Sequence, residues 1–304
     1  MTHNHGSEHT HGTGNYNRAF IISVTLNTLF VAIEAFYGIA ANSLALLADA
    51  GHNLSDVLGL LLAWGASLLS QRQATERRTF GLLRSSILAA LFNAMFLLVI
   101  SGGVGWEAIL RFRDPAPVSG RTLIVVAAIG IVINTLSALM FLAGRKRDLN
   151  IRGAFLHLMA DAAVSAGVVF AGLAIVFTGE LWFDPAVSLL VTVVIVVGTW
   201  QLLRDALNLI TDAVPAGIEP LAVRTYLAER PGVAEVHDLH IWSMSTTEAA
   251  LMVHLLVPTG HPGDAFLAQI YRDLHENFGI EHATIQIELG DSGQACALAP
   301  ENVV

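Results

Sequence analysis

The sequence predicts a membrane α-helical domain of six transmembrane helices followed by a cytoplasmic α+β domain, and three observations carry that reading. The chain of 304 residues is 54% hydrophobic and only 13% charged. Its mean hydropathy of +0.60 is too high for a water-soluble globule of this size. Long apolar runs fill the first 210 residues, and shorter amphipathic periods follow. The charge divides at the same place, with 12 acidic and 13 basic residues up to residue 210 and 13 acidic and 3 basic after it.

A hydrocarbon core about 30 Å thick needs roughly 20 apolar residues of helix. The runs near 19–40, 44–70, 86–110, 121–143, 154–178 and 185–210 each meet that need. An even number of spans puts both termini on one side, and short cytoplasmic loops carry Lys and Arg. The loop at 71–84 holds Arg72, Arg77, Arg78 and Arg84, and the loop at 144–152 holds Arg145, Lys146, Arg147 and Arg152, so both termini are expected in the cytoplasm. The external loop near 111–121, with Arg111, Arg113 and Arg121, makes the asymmetry imperfect.

Beyond residue 210 "EPLAVRTYLAER" has helical spacing, "VAEVHDLHIWSM" and "EAALMVHLLVP" alternate like strands, "DAFLAQIYRDLHENF" is helical and "ATIQIEL" alternates again. The order αββαβ suits a small open sheet with helices on one face. The expected domains are 19–210 in the membrane and 211–290 in the cytoplasm, between disordered tails at 1–18 and 291–304. Acidity after residue 210 argues against nucleic acid or anionic lipid as a partner and suits either plain solubility or encounters with cations.

The first 18 residues carry His3, His5, His9 and His11 without an apolar core, so they do not form a secretory signal. Such an interrupted tract either gathers a borderline cation loosely or is a tag. One cysteine, Cys296, excludes a disulfide framework or a thiolate cluster within a chain. Short loops and the lack of a targeting segment make a bacterial inner membrane the expected location.

Ionisable side chains at membrane depth are costly and normally face a bundle interior. The second run contains "HNLSD" and the fifth "HLMAD", both H-x-x-x-D. Residues four apart share a helix face, so His52 with Asp56 and His157 with Asp161 form two ligand pairs that can converge. Two imidazoles and two carboxylates suit a four-coordinate divalent ion, zinc first, with cobalt and cadmium tolerated. The alternative is a hydrogen-bonded clasp between helices, and two such pairs in separate apolar helices favour the metal. Glu34 either lines an access path or bonds to a neighbouring helix. Asp49 either supports the imidazole of His52 or caps the span near its outer end. Glu107 is near the external end of the third run, and Asn27 and Asn134 can bond across the bundle.

The stretches "NSLALLADAGHNLSD", "RRTFGLLRSSILAALFNA", "LNIRGAFLHLMADAAVS", "WFDPAVSLL" and "VHDLHIWSM" together resemble the cation diffusion facilitators, a family of zinc-exporting membrane proteins, over nearly all of residues 15–290. The resemblance implies six helices, a metallochaperone-like cytoplasmic domain, a homodimer, and exchange of a cytoplasmic divalent cation for protons. It implies that His52, Asp56, His157 and Asp161 are the transport-site ligands. It also carries the cytoplasmic metal positions onto His237, His254 and Glu288, with His240 and His282 as nearby candidates; His240 is alternatively a packed core residue. Zinc would then be both cargo and regulatory ion, with protons as the counter-ion.

The sequence departs from relatives that carry a His-rich loop between the fourth and fifth spans. It also offers only Glu76 where some bind metal between the second and third, so no metal site is expected there, and Ser86 stands where many have an acid. The expected mechanism is alternating access, with protons competing for neutral imidazoles and carboxylates on the outer side. A membrane metal hydrolase would want an open coordination position and a separate base, and no H-E-x-x-H motif occurs. An anchor for a soluble sensor has no reason to bury two H-x-x-x-D pairs.

Overall fold

The computed structural model describes residues 13–70, 74–142, 149–290 and Cys296. The four N-terminal histidines, Arg72, the basic cluster Arg145 to Arg147 and most of the C-terminal tail lie outside the described residues.

Six long helices come first: α1 (Thr13–Ala40), α2 (Leu44–Ser70), α3 (Ser85–Arg111), α4 (Gly120–Phe141), α5 (Leu149–Thr178) and α6 (Phe183–Ile210). Among the described residues, five segments are long and apolar enough to cross a membrane: Ile21–Ala40, Ser85–Arg111, Gly120–Phe141, Phe155–Thr178 and Phe183–Ile210. The sixth long helix, α2, runs for 27 residues and carries Asp49, His52 and Asp56. Helix α1 starts at Thr13, before the expected end of the tail at residue 18. Once a helix is nucleated, each further residue adds a hydrogen bond, so a polar prefix can continue an apolar helix.

The chain divides into two compact units. The first comprises the described residues up to Leu61 together with Asn93–Gln201. Its centre is a cluster of Phe30, Leu46, Leu123, Val126, Ala127 and Val168. Small residues allow the helices to approach closely: a Cβ on Gly172 would stand 2.8 Å from the Gly120 carbonyl oxygen, and one on Gly130 would stand 2.6 Å from Phe30 Cζ. In an apolar medium, such packing replaces the hydrophobic drive for helix association. Large side chains such as Phe92, Val99, Val125, Phe170 and Val197 remain exposed on the helices, as a lipid-facing surface requires.

The start of α2 is anchored by α6. Ser43 Oγ donates to Asp184 Oδ1 at 2.5 Å, and Asp184 also accepts from the backbone N–H groups of Leu44 (2.9 Å) and Ala45 (3.3 Å). These are the unpaired donors of a helix N-terminus. Asn42 turns the chain before α2 with a left-handed φ of 55°. Arg111 donates to its carbonyl and side-chain oxygens and pairs with Glu107 at 3.2 Å. Both atoms of the buried Asn134 amide lack a hydrogen-bond partner, so the expected bond across the bundle does not form.

The second unit comprises Leu62–Phe92 and the chain from Leu202 onward. Its folded part follows the expected αββαβ order: α7 (Pro220–Ala228), β1 (Glu235–Ser243), β2 (Ala249–Leu256), α8 (Asp264–Phe278) and β3 (Ile280–Glu288). β2 is central, antiparallel to β1 and parallel to β3. Val223 and Leu227 of α7 and Ile270 and Leu274 of α8 form one core with Val236, Ile241, Leu251, Val253 and Leu255 of the sheet. Arg84 pairs with Asp212 at 2.6 Å, the Thr246 N–H donates to Ser86 Oγ at 3.1 Å, and Phe80 meets His282 edge-on.

Side chains alternate between the faces of a strand. Leu251, Val253 and Leu255 therefore face the helices, while Ala250, Met252 and His254 face away. On β1 an irregularity between His237 and His240 interrupts the register, and Asp238 there has a φ of 50°. The bulge resets the alternation. Val236 and Ile241 can both reach the core while His237 stays on the face of its partner His254.

Candidate metal centres

The four intramembrane ligands expected from the sequence come together. His52 Nε2 lies 3.4 Å from Asp161 Oδ1 and 3.8 Å from Asp56 Oδ2, and His157 Nε2 lies 3.3 Å from Asp56 Oδ2 and 3.6 Å from Asp161 Oδ2. Four N and O donors about 2.0–2.1 Å from a tetrahedral ion stand about 3.3 Å apart. His52, Asp56 and Asp161 have donor atoms within 4.8 Å of one another, and His157, whose ring centroid is 6.0 Å from that of His52, approaches both aspartates from the accessible side. Three buried atoms of this set, His52 Nδ1, Asp56 Oδ2 and Asp161 Oδ1, have no hydrogen-bond partner. Asp161 is buried, whereas His157 is about half exposed, so the cluster has a closed floor and an accessible side.

Beside it, Asn53 Nδ2 donates to Glu34 Oε2 (3.2 Å) and Asp49 Oδ1 (3.4 Å), and Ser165 Oγ donates to Asp49 Oδ2 at 2.9 Å. Glu34 therefore bonds to α2, and Asp49 ties α2 to α5. Neither expected role of Asp49 is observed. Its partner, Ser165, is 116 residues away, and no local spacing announces it.

A second cluster lies on the sheet face turned away from α7 and α8. His237 Nε2 is 3.3 Å from Glu288 Oε2, and His254 Nδ1 is 3.1 Å from Glu288 Oε1. The His237 and His254 rings meet edge-on, with centroids 5.4 Å apart. The buried His237 faces carboxylates on both sides, with Nδ1 3.7 Å from Glu235 Oε1, and neither ring nitrogen makes a hydrogen bond, an environment that suits a metal ligand better than a packed core residue. Burial opposes ionisation of Glu288, but bonds from Cys296 and Gln286 and the two imidazoles outweigh it and hold the carboxyl below its ordinary range.

His240 and His282 do not join this cluster. His240 bonds through Nε2 to Asp238 Oδ1 at 2.9 Å. His282 pairs with Ala250 at the opposite end of β3 from Glu288; a six-residue step along a strand is about 20 Å. Two cluster neighbours escaped the sequence reading. Asp238 Oδ2 lies 3.4 Å from His254 Nε2, so the bulge aims a carboxylate at the nitrogen opposite the cluster. Cys296 Sγ lies 3.6 Å from His254 Nδ1.

A bundle with five membrane-spanning apolar helices and a His–Asp cluster inside it belongs to the class of membrane transport proteins. The sequence matches two family models, the cation efflux transmembrane domain over residues 20–211 and the cation efflux protein cytoplasmic domain over residues 215–289. The chain belongs to the cation efflux family and is a transporter, not an enzyme. It is 38% identical over 290 residues to zinc transporter ZitB of Escherichia coli, covering 94% of this chain and 92% of that protein. It is 36% identical over 293 residues to the metal cation efflux system protein CzcD of Cupriavidus metallidurans, with 96% and 92% covered. The cadmium, cobalt and zinc/H(+)-K(+) antiporter of Bacillus subtilis is 36% identical over 285 residues, with 92% and 91% covered.

Proposed function

We propose that this protein exports zinc, with cadmium and cobalt as poorer substrates, from the cytoplasm in exchange for protons. The observation that carries the reading is the convergence of two His–Asp pairs from α2 and α5, with each imidazole 3.3–3.8 Å from both aspartates and the donors of His52, Asp56 and Asp161 within 4.8 Å of one another. Two aspartates offset the charge of the ion, so the loaded site is neutral and can be carried through a poorly solvated bundle. The relatives named for zinc, cadmium and cobalt transport agree with this cargo.

In this reading α2 is the sixth span, with its ionisable residues turned into the bundle. Residues 19–210 form the membrane domain, and residues 211–290 a metallochaperone-like domain that dimerises in the cytoplasm, where both termini also lie. The membrane is the inner membrane of a bacterium. Ligation requires neutral imidazole and ionised carboxylate. Protons arriving from the outer side therefore compete directly with the ion, and an inward proton gradient drives release there. In the cytoplasmic domain His237, His254 and Glu288 hold a regulatory zinc, whose charge offsets the repulsion between two acidic domains.

The test is zinc flux into proteoliposomes under an imposed pH gradient. Native protein should accumulate zinc only while the gradient lasts. Equal accumulation by Asp56→Ala and Asp161→Ala proteins at matched incorporation would refute the four-ligand site. Persistence after the gradient is collapsed would refute proton coupling.

A further inference from the structure

Cys296 is the chain's one cysteine and lies beyond residue 289, where the match to the family's cytoplasmic model ends. Its sulfur nevertheless sits with donor atoms of His237, His254 and Glu288, all within 4.8 Å of one another. With metal–sulfur and metal–nitrogen bonds of about 2.3 and 2.0–2.1 Å, two corners of a tetrahedron stand about 3.6 Å apart, and the observed Sγ to Nδ1 distance is 3.6 Å. His237 is 5% exposed; its Nε2 stands 3.3 Å from Glu288 Oε2, yet neither ring nitrogen makes a hydrogen bond, so the cluster holds a buried imidazole whose nitrogen and neighbouring carboxylate a shared ion would satisfy. Asp238, 3.4 Å from His254 Nε2, leaves Nδ1 on the side of Glu288 and Cys296.

We propose that Cys296 is the fourth ligand of the cytoplasmic metal centre, completing a two-histidine, one-carboxylate, one-thiolate site for zinc or cadmium. The inference rests on the metal reading of His237, His254 and Glu288 and adds the donor that closes it. On binding, a metal–sulfur bond forms and the thiol proton passes to solvent. Glutamate and thiolate then neutralise the ion, as the two aspartates do in the bundle. Sulfur makes this site softer than the transport site, so the two should rank metals differently: the cytoplasmic site favours cadmium over cobalt more strongly.

The experiment uses the full chain in detergent micelles with Asp56→Ala and Asp161→Ala introduced to silence the transport site. Cadmium is titrated while the ultraviolet sulfur-to-metal charge-transfer band is recorded; with one cysteine per chain, such a band reports Cys296. The expected result is a band saturating at one cadmium per chain, absent in Cys296→Ser, with zinc affinity about tenfold or more weaker in that variant. Cadmium binding that requires His237 and His254 but gives no band would overturn the cysteine assignment and leave the underlying site standing. Binding indifferent to His237→Ala and to Cys296→Ser alike would overturn both. Serine is close to cysteine in size, so loss of the band cannot be blamed on misfolding if the variant keeps its thermal transition.

Discussion

In the bundle, each half of the proposed ligand set is local: His52 with Asp56 on α2 and His157 with Asp161 on α5, four residues apart in both helices. In the cytoplasmic domain, His237, His254 and Glu288 come from three strands, and Cys296 comes from beyond the last of them. The helical site needs one correct contact between two rigid rods. The sheet site needs the β1–β2 register, the parallel β2–β3 register and a bulge at Asp238, all at once. A site made from two preformed pairs is tolerant of small shifts in backbone register, whereas a one-residue slip in a strand would turn its ligand to the opposite face.

The largest expected effect tests the helical site. Asp161→Ala removes a buried carboxylate that both imidazoles approach, and zinc flux should fall about a hundredfold or more, since losing even outer partners of a metal costs 10–100-fold. Next, His237→Ala or His254→Ala should weaken zinc binding by the cytoplasmic domain about 10–100-fold, measured by calorimetry in the Asp56→Ala, Asp161→Ala background. Loss of flux from these variants should be smaller than from Asp161→Ala. If it is equal, the division between cargo and regulatory sites is wrong.

Asp238→Asn sharpens the comparison, because Asn tolerates the left-handed backbone and the change therefore tests the carboxylate alone. Zinc affinity of the cytoplasmic centre should drop about tenfold, measured by calorimetry on protein that keeps a cooperative thermal transition. The smallest effect lies on the opposite face of the sheet. The Tyr226 hydroxyl donates to Asp273 at 2.5 Å and ties α7 to α8. Burial and the Asp273 carboxylate push that phenol up to about 12 from 10.0. Folding favours the neutral form, so this contribution is complete below pH 10 and is lost as pH rises towards 12. A Tyr226→Phe domain should lack that component of the alkaline fall in melting temperature, with zinc binding at neutral pH unaffected.

The parts legible in advance were those with a short period. Apolar runs of span length, the αββαβ order and the two H-x-x-x-D pairs all follow from spacings of one helical turn or alternate strand positions. The metal reading of His237, His254 and Glu288 rests on resemblance, and His240 and His282 cannot be told from them in the sequence because histidines near a strand face look alike without the register. Asp49 has a polar partner 116 residues away in Ser165, and Asp184 caps α2 from α6 across 140 residues. Neither pairing leaves any trace at local spacing.

The sequence by itself determined the long apolar runs, the αββαβ order after them and the faces of α2 and α5 that carry His–Asp pairs, because hydropathy and helical geometry act within a few residues. Tertiary structure alone decided that α1, α4 and α5 pack through Gly120, Gly130 and Gly172, that Asp49 ties α2 to α5, and that a bulge at Asp238 keeps His237 beside His254. It also brought Cys296 to the cytoplasmic cluster. Those outcomes depend on side chains far apart along the chain, whose approach is set by packing and strand register rather than by any local preference.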